Sequence, residues 1–131
     1  MPATIYVVDD DRDFLEMEKS ILLTQGYAVE AFTDPRVALA ALRGRPAGPG
    51  LLVTDLMMNQ LDAGFTLART VKSEPGLEGL PVIIVSAVSS QKGFDFRPRG
   101  PADLQAMGAD AFFDKPVAPG DFLAKVRELL R

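Results

Sequence analysis

The stretch Leu51-Leu52-Val53-Thr54-Asp55 reads as a short strand that stops at a carboxylate. On its N-terminal side Gly44 to Gly50 holds three glycines and two prolines in seven residues, which marks a loop. The same pattern recurs toward both ends of the chain. Thr4 to Val8 is a β-branched run that stops at Asp9 and Asp10, as a buried strand opening onto a polar site does. Pro81 to Val85 is the most apolar run and stops at Ser86, and Asp110 to Phe113 stops just before Lys115. Ala28 to Phe32 supplies one further strand.

Between these runs the apolar spacing becomes helical. Phe14, Met17 and Ile21, with Leu15 and Leu22 alongside, predict a first helix that Asp11 caps and Gly26 ends. Asp34-Pro35 predicts an N-cap with proline at the first helical position, continued by Val37 to Leu42. Phe65, Leu67, Ala68 and Val71 predict a third helix from about Gly64 to Ser73, broken by Pro75, Gly76 and Gly79. Phe122, Val126, Leu129 and Leu130 predict an amphipathic final helix over Asp121 to Leu130. Val88 to Pro101 is different, fourteen residues with two prolines and two glycines, a length typical of functional or mobile loops. Only Ala102 to Met107 remains for a fourth helix, which is therefore expected to be short or irregular. Strands alternating with helices imply the α/β class, a doubly wound five-stranded parallel sheet covered on both faces. No internal repeat is present.

The chain has 131 residues, 47% hydrophobic and 24% charged, which suits one globular domain over 1–131. With no cysteine there is no disulfide, thiolate metal site or cysteine nucleophile. With no histidine there is no Ser-His-Asp triad, no histidine-ligated zinc and no phosphohistidine on this chain. A net charge of −4 without a Lys/Arg block argues against direct nucleic-acid binding. No apolar run approaches the ~20 residues of a membrane span, and the start lacks a charged n-region, so a cytoplasmic chain is expected.

In an open parallel sheet the carboxyl ends of the strands form the ligand crevice, so Asp9, Asp10, Asp55, Ser86 and Lys115 are expected to converge. Crowded carboxylates repel one another unless a cation sits among them. An all-oxygen donor set favours Mg2+ keeping several waters, with Mn2+ an acceptable substitute. A lysine ammonium and a serine hydroxyl beside such a centre suit the oxygens of a phosphoryl group, and a carboxylate is a competent nucleophile toward an activated phosphate.

Val7-Val8-Asp9-Asp10-Asp11, Val53-Thr54-Asp55-Leu56-Met57-Met58, Val85-Ser86-Ala87 and Asp114-Lys115-Pro116 resemble, in order and spacing, the motifs of response regulator receiver domains of two-component signalling. The resemblance covers essentially the whole chain. It implies a flavodoxin-like sheet of strand order 2-1-3-4-5. It also implies Asp55 as phospho-acceptor, Asp9 and Asp10 as the Mg2+-binding acidic pair, and Met57 as the residue offering a backbone carbonyl to the metal. Ser86 matches the switch hydroxyl, Lys115 the phosphate-contacting lysine and Phe112 the aromatic switch position. A sensor histidine kinase or phosphotransfer protein would supply the phosphoryl group. An output protein, or a phosphorylation-linked homodimer, would read the altered surface.

Two departures fall after the acceptor. Asn59 stands where the family usually has proline, and Asp62-Ala63-Gly64 is one residue longer than the usual Asp-Gly turn. Met57-Met58 and Gly93-Phe94-Asp95-Phe96 resemble a subset of stand-alone receivers whose fourth helix gives way to a longer irregular segment. No effector sequence follows Arg131, which fits a single-domain regulator or a receiver excised from a longer chain.

Each motif alone has a plainer reading. Asp9-Asp10-Asp11 can cap a helix, Asp55 can cap or turn the chain, Lys115-Pro116 can be solvated, and serine is common at strand ends. Alternation requires one of Phe112 and Phe113 to be core. Phe94 and Phe96 can pin the long loop or present a partner patch, and Arg97 and Arg99 can be solvated or meet an acidic partner. Two other functions compete. A small aspartate-nucleophile phosphatase usually wants a second acid two residues after the nucleophile, where Met57 stands. A phosphorylation-independent pseudo-receiver is disfavoured by the intact set Asp9, Asp10, Asp55, Ser86 and Lys115.

Overall fold

Apolar runs of four or five residues are too short for stable helices, and their backbone groups are satisfied by pairing side by side. The computed structural model describes residues 4–44, 50–55, 63–77, 79–86, 101–106, 108–114 and 117–130. Its elements are β1 (Thr4–Val8), α1 (Arg12–Leu23), β2 (Ala28–Phe32), α2 (Pro35–Arg43), β3 (Leu51–Asp55), α3 (Ala63–Ser73), β4 (Val82–Ser86), α4 (Pro101–Ala106), β5 (Ala111–Asp114) and α5 (Pro119–Leu129). The strands form one sheet of order β2-β1-β3-β4-β5, and every pair is parallel. The doubly wound order expected from the sequence is thus present.

From β1 the chain moves outward to β2, then returns past β1 to β3, and crossovers of one hand place the two connecting helices on opposite faces. The two core layers reflect this. Leu15 and Leu22 of α1 and Phe122 and Val126 of α5 cover Ile5, Val7, Val53, Ile83 and Val85. Ala38 and Leu42 of α2 and Leu67, Ala68 and Val71 of α3 cover Tyr6, Val8, Leu52 and Ile84. With both faces covered, β3 and β4 are buried along their whole length, which is why they read as continuous apolar runs.

Two expectations are refined. The inward stripe of α1 is Leu15, Glu18 and Leu22, with Phe14, Met17 and Ile21 half-buried beside it. A core-facing stripe is wider than one row of side chains, and the sheet chooses its centre. Phe112 and Phe113 do not divide into one core and one surface residue. Phe112 packs toward the α2–α3 layer and Phe113 toward the α1–α5 layer, edge-on to Phe122 with ring centroids 5.8 Å apart. Both remain half-buried because β5 is an edge strand. Among the described residues the helix between β4 and β5 is the six-residue Pro101–Ala106, close to the Ala102 to Met107 expected; Met107 and the segment 87–100, with Phe94, Phe96, Arg97 and Arg99, lie outside the described residues.

The end of the sheet away from the strand-end carboxylates is tied together by one ion pair and its neighbours. Lys72 Nζ of α3 donates to Asp110 Oδ2 at 2.7 Å and to the Leu80 carbonyl at 2.9 Å. The same Asp110 oxygen accepts from Val82 N at 2.9 Å, and Asp110 N donates to Val82 O at 2.7 Å. Gly108, at φ +76°, brings the turn before β5 so close to α3 that a Cβ there would lie 2.9 Å from the backbone of Ala68 and Arg69. Among the described residues no helix is long and apolar enough to cross a membrane.

Candidate functional site

The sheet's order places β1 and β3 side by side while the connections leaving them run to opposite faces, so a crevice opens at their carboxyl ends. The residues standing there are carboxylates. Val8 lies opposite Thr54, so one step onward Asp9 leaves β1 as Asp55 ends β3. Asp9 is fully buried, Asp55 is 7% exposed and Asp10 is half-buried. One carboxylate oxygen from each of Asp9, Asp10 and Asp55 lies within 4.8 Å of the other two.

Local hydrogen bonds explain how three consecutive aspartates divide their work. Asp9 N donates to Phe32 O at 3.0 Å, extending the β1–β2 ladder by one bond. Asp9 Oδ1 accepts from Asp11 N at 2.9 Å, which turns the chain out of the strand. Asp11 is the N-cap of α1, its Oδ1 accepting from Asp13 N at 3.0 Å and Phe14 N at 3.4 Å. The capping role therefore falls to Asp11, and the carboxylates of Asp9 and Asp10 face Asp55.

Two unit charges at this separation repel by on the order of 3 kcal/mol at an effective dielectric of about 20. Three such groups, two of them buried, form a strongly negative, all-oxygen donor set. It fits a hard divalent cation that keeps part of its water shell, which is the coordination Mg2+ prefers.

Ser86 ends β4 and is 1% exposed; it pairs with Asp114, while its neighbour Val85 pairs with Asp55. The hydroxyl-bearing residue is thus on the strand next to the Asp55 strand, one step along. Phe112 lies opposite Ile84 on β5, two residues before Asp114, and alternation puts Phe112 and Ser86 on the same face of the sheet. The structure therefore gathers Asp9, Asp10, Asp55 and Ser86 at one end of the sheet, with Phe112 on the adjoining strand. Lys115, Met57 and Asn59 lie outside the described residues.

Two buried polar residues were not singled out by the motif reading, Glu18 on the inward stripe of α1 and Thr54 on β3. Thr54 is fully buried, and its Oγ1 donates to the Asp55 carbonyl at 3.1 Å. The available signal was a hydroxyl closing an otherwise apolar run, Leu51-Leu52-Val53-Thr54.

A flavodoxin-like sheet whose switch point carries a carboxylate cluster in place of a phosphate-binding glycine loop defines the class of acidic-pocket receivers. The chain belongs to the response regulator receiver domain family, whose family model matches residues 5–127. Members of this family are the signalling switches of two-component systems. The chain is 37% identical over 131 residues to Response regulator MprA of Mycolicibacterium vanbaalenii, an alignment covering 100% of this chain and 52% of that protein. It thus spans about half the length of the curated relatives it matches. Among solved structures it is similar to a putative response regulator from Chloroflexus aurantiacus, at 25% identity and TM-score 0.82, over 99% of this chain and 98% of that one. It is also similar to the signal receiver domain of a signal transduction histidine kinase from Syntrophus aciditrophicus, at 30% identity and TM-score 0.78, over 98% and 89% of the two chains.

Proposed function

We propose that residues 1–131 act as one phosphorylation-driven switch in the cytoplasm, with Asp55 as the phospho-acceptor. The observation that carries this reading is the meeting of Asp9, Asp10 and Asp55 within 4.8 Å at the switch point of the sheet. The phosphoryl donor is the phosphohistidine of a sensor kinase or phosphotransfer protein, which must be a separate protein segment because this sequence has no histidine. An Asp55 carboxylate oxygen forms the new bond to phosphorus as the donor's phosphorus–nitrogen bond breaks. The imidazole leaves with the electron pair of that bond, and Asp55 becomes an acyl phosphate.

Asp9, Asp10, Asp55 and the backbone carbonyl of Met57 would hold Mg2+, with Mn2+ able to replace it. When bound, the cation neutralises the carboxylates and stabilises the charge on the transferring group. The Lys115 ammonium and the Ser86 hydroxyl hold phosphoryl oxygens. Ser86 moves toward the new oxygens and vacates space into which Phe112 turns, since both lie on one face of neighbouring strands. A local charge change thereby biases a two-state element, and its output is read by a protein partner or a second copy of the chain.

The test is intact-protein mass after incubation with a small acyl-phosphate donor, with and without Mg2+. The wild type gains one phosphoryl group only with Mg2+, and Asp55→Ala gains none. An unmodified wild type that still binds Mg2+, with hydrolysis too slow to hide the adduct, overturns the reading. Turnover of unrelated phosphoesters would instead place the chain among phosphatases.

A further inference from the structure

Thr54 sits in the middle of the sheet, flanked by the apolar side chains of Val8 of β1 and Ile84 of β4, which belong to the α2–α3 core layer. Valine would fill the same volume without the cost of burying a hydroxyl. The hydroxyl is instead used locally, donating at 3.1 Å to the carbonyl of Asp55, the next residue and the last of the strand. That carbonyl belongs to the peptide by which the chain leaves β3.

We infer that Thr54 is a positioning residue for the acidic pocket, its hydroxyl fixing the backbone of Asp55 and thereby the rotamer of the Asp55 carboxylate. A side chain's accessible χ1 wells depend on its own φ and ψ. A hydrogen bond to the Asp55 carbonyl restrains ψ of that residue, where the strand has run out and a ladder no longer continues on every side. The carboxylate then meets Asp9 and Asp10 in one preferred orientation in spite of their mutual repulsion. Thr54 touches neither donor nor phosphoryl group and acts only through Asp55. The kinetic part of this inference rests on Asp55 being the acceptor; the geometric part does not.

The test compares wild type, Thr54→Val and Thr54→Ser. In metal-free protein the Hα–Hβ couplings of Asp55 report a single rotamer in the wild type, averaging in Thr54→Val and return to one rotamer in Thr54→Ser. Phosphorylation by the small donor slows in Thr54→Val by about 3- to 10-fold, the effect of one net hydrogen bond, and Thr54→Ser restores it. Urea unfolding of Thr54→Val confirms the fold, so a slower rate is not loss of structure. Unchanged couplings in Thr54→Val overturn the inference, as does equal averaging in both variants, which would assign the effect to packing. A wild type that takes no phosphoryl group defeats the acceptor reading, while the couplings still decide the role of Thr54.

Discussion

Ionised Asp9, Asp10 and Asp55 oppose one another in the folded chain and lose that repulsion when it unfolds. Removing one charge while keeping its shape is therefore stabilising without metal. Asp55→Asn is expected to raise the unfolding free energy by about 1–2 kcal/mol in low-salt, metal-free buffer, read by urea denaturation. Mg2+ should invert the order. A ligand at 100 times its dissociation constant stabilises by about 2.7 kcal/mol, a gain the wild type shows and Asp55→Asn largely lacks. The three carboxylates were legible in the sequence because each stands where an apolar run stops. Thr54 was not, since a threonine in a strand is ordinary until its hydroxyl is seen to be buried and donating. Lys115 was read from its place just after the last strand, and Met57 only from the family resemblance.

Elements were legible where a local signal fixes them and less so where the tertiary partner does. Asp11 and Asp34-Pro35 cap α1 and α2 as their chemistry requires, whereas the inward stripe of α1 depends on which face the sheet accepts. The junction between α3 and the turn before β5 is such a tertiary feature. Gly108→Ala meets both a left-handed φ and backbone atoms at 2.9 Å, and is expected to cost about 3 kcal/mol. Gly26→Ala has a similar φ but open space around it, and should cost about 1 kcal/mol in the same urea experiment. The end of α2 is joined to the chain just beyond α3 by Arg43, whose Nη2 lies 2.6 Å from Glu74 Oε1. The side-chain hydrogen bond from Arg43 holds the Glu74 carboxyl below its ordinary value of 4.5. A carboxylate depressed on folding stabilises above its unfolded value and loses that contribution as pH falls through the depressed one. The stability gap between wild type and Glu74→Gln should thus be small but full near pH 7, screened by salt, and absent once pH is well below 4.5.

Across the whole molecule, pairing is deepest at the centre of the sheet. β1, β3 and β4 are each paired on two sides, while β2 and β5 are each paired on one. Hydrogen exchange should find the slowest amides in Val7, Val53 and Ile83, opening only with global unfolding, and faster exchange along β2 and β5. The same order has a consequence in time. After β2 has settled on one side of β1, every later strand joins the other side in the order in which it is synthesised. A chain growing from its N-terminus can therefore lay down the sheet like courses of brick, with each new edge ready before the next strand emerges. Asp9, Asp10 and Asp55 are assembled as soon as β3 docks, whereas Ser86 and Phe112 belong to strands still to come. The acidic half of the pocket is the older half in the life of each molecule, and the mutual repulsion of its carboxylates is first met as β3 docks.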